Sequence, residues 1–203
     1  MAKVALIGAS GNVGTRLLKE LSDRGHEVTA IARSPEKIAA LPGVTPVAGD
    51  ANDAQSLAAL IHGHDAVISA TRFVGTDFDA IAKALRQAGV FRWLVVGGAA
   101  SLEVAPGKRL LDQPEFPEAY RPEATRGAEV LDQLRGIEDL EWTFLSPSAL
   151  FVPGARTGKF RLAKNELLTS ADGSSISYED YAIAMVDELE SGRHIRQRFT
   201  VGY

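Results

Sequence analysis

Near the start of the chain an apolar run, Val4-Ala5-Leu6-Ile7, stops at Gly8, and glycine returns at Gly11 and Gly14 to give "GASGNVG". Val13, Leu17, Leu18 and Leu21 then recur with the spacing of one helical face. Inside a regular element glycine costs about 0.5–1 kcal/mol relative to alanine. Three of them at a strand-to-helix junction mark backbone that must bend sharply, pack closely or leave room for something else. No other stretch limits the architecture as much, because a strand has to pass almost directly into a helix.

The same alternation continues along the chain. Apolar runs recur at Val28-Thr29-Ala30-Ile31, Ala66-Val67-Ile68, Trp93-Leu94-Val95-Val96, Trp142-Thr143-Phe144-Leu145 and Phe199-Thr200-Val201, with a weaker one from Val44 to Val47. Unbroken apolarity suggests strands buried on both faces, as in a parallel sheet. Helical faces lie between them, at Phe78, Ile81, Ala82 and Leu85 and at Ala182, Met185, Val186 and Leu189. Ser34-Pro35 reads as a cap with proline at the first helical position, and Ser177 with Asp180 as a capping-box start. The expectation is an α/β chain with a doubly wound parallel sheet and right-handed crossovers. Two segments break the rhythm. Ala105 to Pro122 holds four of the nine prolines and reads as a long loop of the kind that covers a site. Pro153 to Asp172 reads as irregular, with room for a small hairpin. Together they predict one domain over 1–203 with a small C-terminal cap, its elements near 102–122 and 153–172.

Ligands of open α/β sheets sit beyond the carboxyl ends of the strands, and the glycine turn is at such an end. Gly8, Gly11 and Gly14 let the backbone turn, approach a diphosphate and pack the helix, while the first amides of a helix over 12–24 face the anion. Ser10 and Asn12 add polar contacts, with Val13 inside the motif. The spacing is G-x-x-G-x-x-G rather than G-x-G-x-x-G, so context carries the reading of a dinucleotide site. The second strand ends in Arg33-Ser34, without the carboxylate that grips a ribose 2′-hydroxyl. Arginine suits a 2′-phosphate, so NADP(H) is expected in preference to NAD(H); a merely solvated Arg33 is the competing view. Other strand ends supply Asp50-Ala51, Ala70-Thr71, Gly97 and Pro147-Ser148 as further cofactor candidates.

Bulk properties remove several classes. The net charge is −4 and the sequence pI about 5.6, which argues against a nucleic-acid binder that works by phosphate neutralisation. The chain has no cysteine, so disulfides, thiolate metal sites and cysteine nucleophiles are excluded. No apolar stretch approaches membrane-spanning length, and a cytoplasmic setting is expected. His62-Gly63-His64 precedes a strand at its amino edge without a third ligand nearby, so no metal is expected. Ser146-Pro147-Ser148 lacks the glycines of a nucleophile elbow.

Gly8-Ala9-Ser10-Gly11-Asn12-Val13-Gly14, Arg33, Gly49-Asp50, "LSPSALFVPGARTGKFRL" and "RQRFTVGY" resemble the atypical short-chain dehydrogenase/reductases. More narrowly, they resemble the NmrA-like, NAD(P)H-binding proteins named as NADH-flavin reductases, and the chain is similar to biliverdin-IXβ/flavin reductases. The likeness spans nearly the whole chain. It implies a Rossmann-type domain with a small cap and NAD(P)H as cofactor.

One departure changes the expected chemistry. Many relatives pair a tyrosine with a lysine four residues on, but here Tyr120 is followed by Ala124, with Pro122 between. Without the lysine, Tyr120 is a poor base and reversible alcohol dehydrogenation is disfavoured. A flavin, quinone or similar conjugated acceptor needs less acid help, since its electron-poor ring takes a hydride and water supplies the proton. Ser101 and Tyr120 are the candidate catalytic residues, as donors to substrate. Arg156 and Lys159 could attract an anion at the cap, though a solvated turn suits them better. The expected activity is NAD(P)H-dependent reduction of a small molecule by a monomer or homodimer, with flavin as a candidate substrate. Two alternatives stand beside it: a non-enzymatic redox-sensing regulator that binds NADP(H) and a protein partner, and an epimerase or dehydratase.

Overall fold

The computed structural model describes residues 1–203. Along the chain come β1 (Lys3–Ile7), α1 (Asn12–Asp23), β2 (Glu27–Ala32), β3 (Val44–Ala48), α2 (Ala54–Ile61), β4 (Ala66–Ser69), α3 (Phe78–Ala88), β5 (Arg92–Val96), β6 (Glu103–Ala105) and β7 (Lys108–Arg109). There follow α4 (Arg121–Arg135), β8 (Glu141–Pro147), β9 (Leu150–Val152), β10 (Arg161–Ala163), β11 (Ser175–Ser177), α5 (Tyr178–Ser191) and β12 (Gln197–Gly202). Eight strands form one sheet in the order β10-β12-β8-β5-β4-β1-β2-β3. Every pairing is parallel except that of β10 with β12.

Chain order reverses beside β1: β2 and β3 lie to one side, β4 and β5 to the other. At such a switch point the crossovers leave in opposite directions and a crevice opens at the carboxyl ends of the strands. The core has two layers because side chains alternate across each strand. On one face Leu17, Leu18 and Leu21 of α1 and Tyr181, Met185 and Val186 of α5 pack on Val4, Leu6, Ile68 and Phe199. On the other, Leu57, Ile81, Leu85, Val130 and Leu131 of α2, α3 and α4 pack on Ala5, Val67, Trp93 and Phe144. This is the expected doubly wound Rossmann-type sheet.

Four local expectations change. The long loop ends earlier than Pro122, because α4 begins at Arg121 with that proline in its first turn. There the missing N–H would have had no helical partner, so proline is tolerated. Ser34-Pro35 opens only a three-residue 3-10 turn, and Ser34 makes no capping bond. The 153–172 segment makes no hairpin of its own; Arg161–Ala163 instead adds an antiparallel edge to β12. Ser177 Oγ does accept from Asp180 N at 3.0 Å, but the Asp180 carboxylate does not return the bond to Ser177. It accepts from Thr157 N, Gly158 N and the Tyr203 hydroxyl, and so clamps the 157–158 turn onto α5.

Candidate functional site

The glycines of the turn have different jobs. Gly8 has φ +81°, and a Cβ there would lie 2.5 Å from the Ala70 carbonyl oxygen. A Cβ on Gly14 would lie 2.1 Å from the Gly8 carbonyl oxygen. Both obstacles are backbone, so the close approach of β1, β4 and α1 forbids a side chain at either place. Gly11 is extended, at φ −78° and ψ 172°, and its nearest obstacle, the Gly8 oxygen, is 3.3 Å away. The protein itself demands little at Gly11.

What lies in front of Gly11 is an open cleft of about 420 Å³. As the N-cap, Gly11 offers no side-chain acceptor, and the first turn of α1 holds no acidic residue. The amides of Asn12, Val13 and Gly14 therefore make no hydrogen bond within the chain and remain available to an anion. Thr71, which lines the cleft, carries a buried hydroxyl, Oγ1, without a partner. An open cradle, free amides and an orphaned hydroxyl fit a bound dinucleotide diphosphate.

Of the residues expected to hold cofactor, Gly8, Ser10, Gly11, Arg33, Asp50, Ala51, Ala70 and Thr71 line this cleft. Arg33 is exposed and makes no ion pair. The side chains of Asn12 and Val13 do not line it, Val13 packing on the core and Asn12 lying exposed, and Gly14 is buried in the helix. Gly97 caps β5 under the Phe144 ring, which a Cβ would strike at 2.4 Å. The Ser148 hydroxyl is fully buried and donates to Val201 O at 3.1 Å; neither it nor Pro147, at the end of β8, lines the cleft. Arg72 and Asn52 line it as well, although no sequence pattern singled them out.

A second cavity of about 500 Å³ adjoins the first and is mostly apolar. Phe73, Phe116, Pro117, Tyr120 and Ala128 form much of its wall, and both candidate catalytic residues, Ser101 and Tyr120, face it. Tyr120 is 68 % exposed, at the rim. The 102–122 segment contributes much of this wall, whereas 153–172 contributes none. Arg156 is drawn away altogether, donating twice to Glu20 of α1 at 2.8 Å.

Between the cavities runs the segment 71–76. Glu123 fixes it by accepting from Phe73 N at 2.6 Å and Val74 N at 3.0 Å. The Phe73 ring lies against Gly127 of α4, where a Cβ would come within 2.8 Å of it. Glu123 sits one residue before the place where the missing lysine would stand. Its tethering role left no mark in the sequence, because a helix was not foreseen there.

Elsewhere the titratable groups serve the fold. His64 Nδ1 donates to Ile61 O and Nε2 accepts from Thr29 Oγ1; burial holds its pKa below the usual range. Total burial pushes the Tyr181 phenol far up, and its hydroxyl donates to Leu145 O. Burial lowers Arg198 to about 10, helped by the like charge of Arg135. No helix is long and apolar enough to cross a membrane.

Residues 8–191 match the model of the NAD(P)H-binding family, and the chain belongs to that family. Three solved structures show the same fold over the whole chain. A candidate exported protein of Burkholderia pseudomallei is 45% identical, with full coverage of both chains and a TM-score of 0.91. A candidate epimerase of Bacteroides thetaiotaomicron is 42% identical, with 100% and 97% coverage and a TM-score of 0.94. A candidate NADH-flavin reductase of Streptococcus pneumoniae TIGR4 is 40% identical, with 100% and 99% coverage and a TM-score of 0.83. The three names differ, so the particular reaction has to be argued from the site. Family and fold together support an NAD(P)H-dependent oxidoreductase.

Proposed function

We propose that this chain is an NADPH-dependent reductase of a planar conjugated acceptor, a flavin or a quinone. The observation that carries this is the aromatic-walled cavity of about 500 Å³ directly beside the glycine-turn cleft, with one tethered segment, 71–76, as their shared wall. Gly11, the free amides of α1 and Thr71 would hold the diphosphate, with Arg33 and Arg72 near a 2′-phosphate. When bound, the reduced nicotinamide supplies a hydride, so it is left oxidised and the acceptor gains that hydrogen with two electrons, water giving the balancing proton. Phe73, Phe116 and Tyr120 give the cavity an aromatic wall suited to a flat, apolar acceptor. No tyrosine–lysine proton relay is needed.

Epimerisation is less well supported. It requires two proton-transfer groups, and Glu123, one of two carboxylates on the cavity wall, spends both oxygens on backbone amides. The test is NADPH oxidation with riboflavin, FMN and naphthoquinones. Acceptor-dependent consumption above the free-solution rate is expected, and none with any acceptor would reject the reading.

A further inference from the structure

Arg198 is buried, 8 % exposed, yet no carboxylate pairs with it. Its Nε and Nη2 donate to Asn165 Oδ1 at 3.0 and 2.8 Å, Nη2 also to Ser101 O at 3.4 Å, and Nη1 to Ser101 Oγ at 3.2 Å. Buried charges are normally paired, because removing an ion from water is expensive. Arg92, the other deeply placed arginine, obeys that rule through Glu188 at 2.9 Å. Arg198 is thus a buried cation held by neutral oxygens only, those of Asn165 and Ser101, and the Ser101 hydroxyl is the one hydroxyl among them.

That hydroxyl faces the apolar cavity. Ser101 Oγ accepts from the guanidinium and its own O–H donates to nothing in the chain, so the proton is free to point into the cavity. Two more hydroxyls, Ser146 Oγ and Thr200 Oγ1, are buried without partners and stand opposite each other in the β8–β12 register. By strand alternation they share a sheet face with Arg198, since Phe199 and Val201 belong to the other layer. Ser101 therefore brings a hydrogen bond from a buried cation to the wall of a mostly apolar cavity, with two unpartnered hydroxyls on the same sheet face as that cation.

We propose that Ser101, polarised by Arg198, is a charge-assisted donor for an acceptor oxygen that becomes negative on reduction. This rests on the reductase reading and narrows it to acceptors whose conjugated carbonyl takes up the charge. Ser101 is then the residue that touches substrate, and Arg198 positions it and strengthens its donor. Donors fixed in advance at the site of developing charge are the most effective kind.

The test is spectrophotometric titration of para-nitrophenol bound to the protein, which reads stabilisation of an oxyanion without turnover. In wild type the bound phenol should ionise about one pH unit lower than when bound to Ser101→Ala or Arg198→Met, as a tenfold preference for the anion requires. Arg198→Lys should fall between. If Arg198→Met does not fold, Ser101→Ala and Arg198→Lys carry the test with the same expectations. With a working acceptor, Ser101→Ala and Arg198→Met should each lower kcat by roughly 10- to 100-fold at unchanged NADPH affinity. The double variant should be no worse than the poorer single one, because groups that act as a unit do not add. A phenol that fails to bind, or ionises alike in wild type and Ser101→Ala, overturns the proposal; so do losses in kcat that multiply. A wild type that stabilises the phenolate yet oxidises no NADPH would sink the reductase reading and keep the donor.

Discussion

Gly11→Ala and Gly14→Ala are the same chemical change three residues apart, and they should do opposite things. At Gly14 the new methyl would stand 2.1 Å from a backbone oxygen, where ordinary contacts run 3.4–4 Å. Overpacking of this kind costs about 1–3 kcal/mol, with a backbone collision at the upper end. Alanine's helical advantage returns about 1 kcal/mol. A net loss of about 2 kcal/mol lowers the melting temperature by roughly 4–8 °C in a chain of this size. At Gly11 the space is 3.3 Å and the backbone is permissive. A poorer N-cap costs up to about 1 kcal/mol, while the less flexible unfolded chain returns about 0.4–1 kcal/mol, so the melting temperature should move by no more than about 4 °C. The methyl instead enters the cleft. NADPH affinity should fall at least tenfold, about 1.4 kcal/mol. Thermal melting with and without NADPH, together with fluorescence titration, reads both numbers. A folded Gly11→Ala protein that binds NADPH like wild type would refute the reasoning, as would one that melts as low as Gly14→Ala.

Other perturbations separate the remaining claims. Arg33→Gln should weaken NADPH by about 10- to 100-fold, the worth of a charge-assisted bond to phosphate, and leave NADH within about twofold; equal losses would contradict the 2′-phosphate role. Glu20 is held below the usual carboxylate range by the hydrogen bond from Arg156, against its burial and with help from Arg24. A lowered folded-state pKa contributes stability above the unfolded value of 4.5, which is lost as pH falls below it towards the folded pKa. Arg156→Gln should therefore flatten the loss of stability below pH 4.5 in acid-dependent urea melts, and an unchanged slope would contradict the pairing. Glu188 has a side chain 2% exposed and holds Arg92, His194 and Thr143 together. Glu188→Ala should cost about 3–5 kcal/mol by leaving Arg92 buried and unpaired; a urea-melt loss below about 1 kcal/mol would refute that.

Strands were legible where both faces are buried. β1, β2, β4, β5, β8 and the apolar core of β12 all announce themselves as apolar runs, because a doubly covered parallel strand has no wet face to encode. β3 was fainter because it is the sheet edge, with a mixed pattern and Pro46 tolerated there. α4 was hidden by its own start: the prolines before it signal loop, and Pro122 looks like a breaker until it is seen to occupy a first turn. That error also concealed Glu123 and the Phe73–Gly127 contact, which depend on α4 lying across the 71–76 segment. The glycine turn could be read because local backbone geometry dictates it. Arg198 could not, because its meaning lies in what it lacks: the second arginine of "RQRFTVGY" gives no hint that it ends buried without a carboxylate. Ser148 misled in the reverse way, since a strand end locates a backbone position but not the face to which the side chain turns.

Everything proposed for the site depends on the α1 amino terminus receiving a nicotinamide dinucleotide, and isothermal calorimetry of the intact chain with NADPH and NADH measures this directly. One-site heat with NADPH, at an affinity above that for NADH, is the predicted result. No heat with either nucleotide at millimolar concentration would contradict the account.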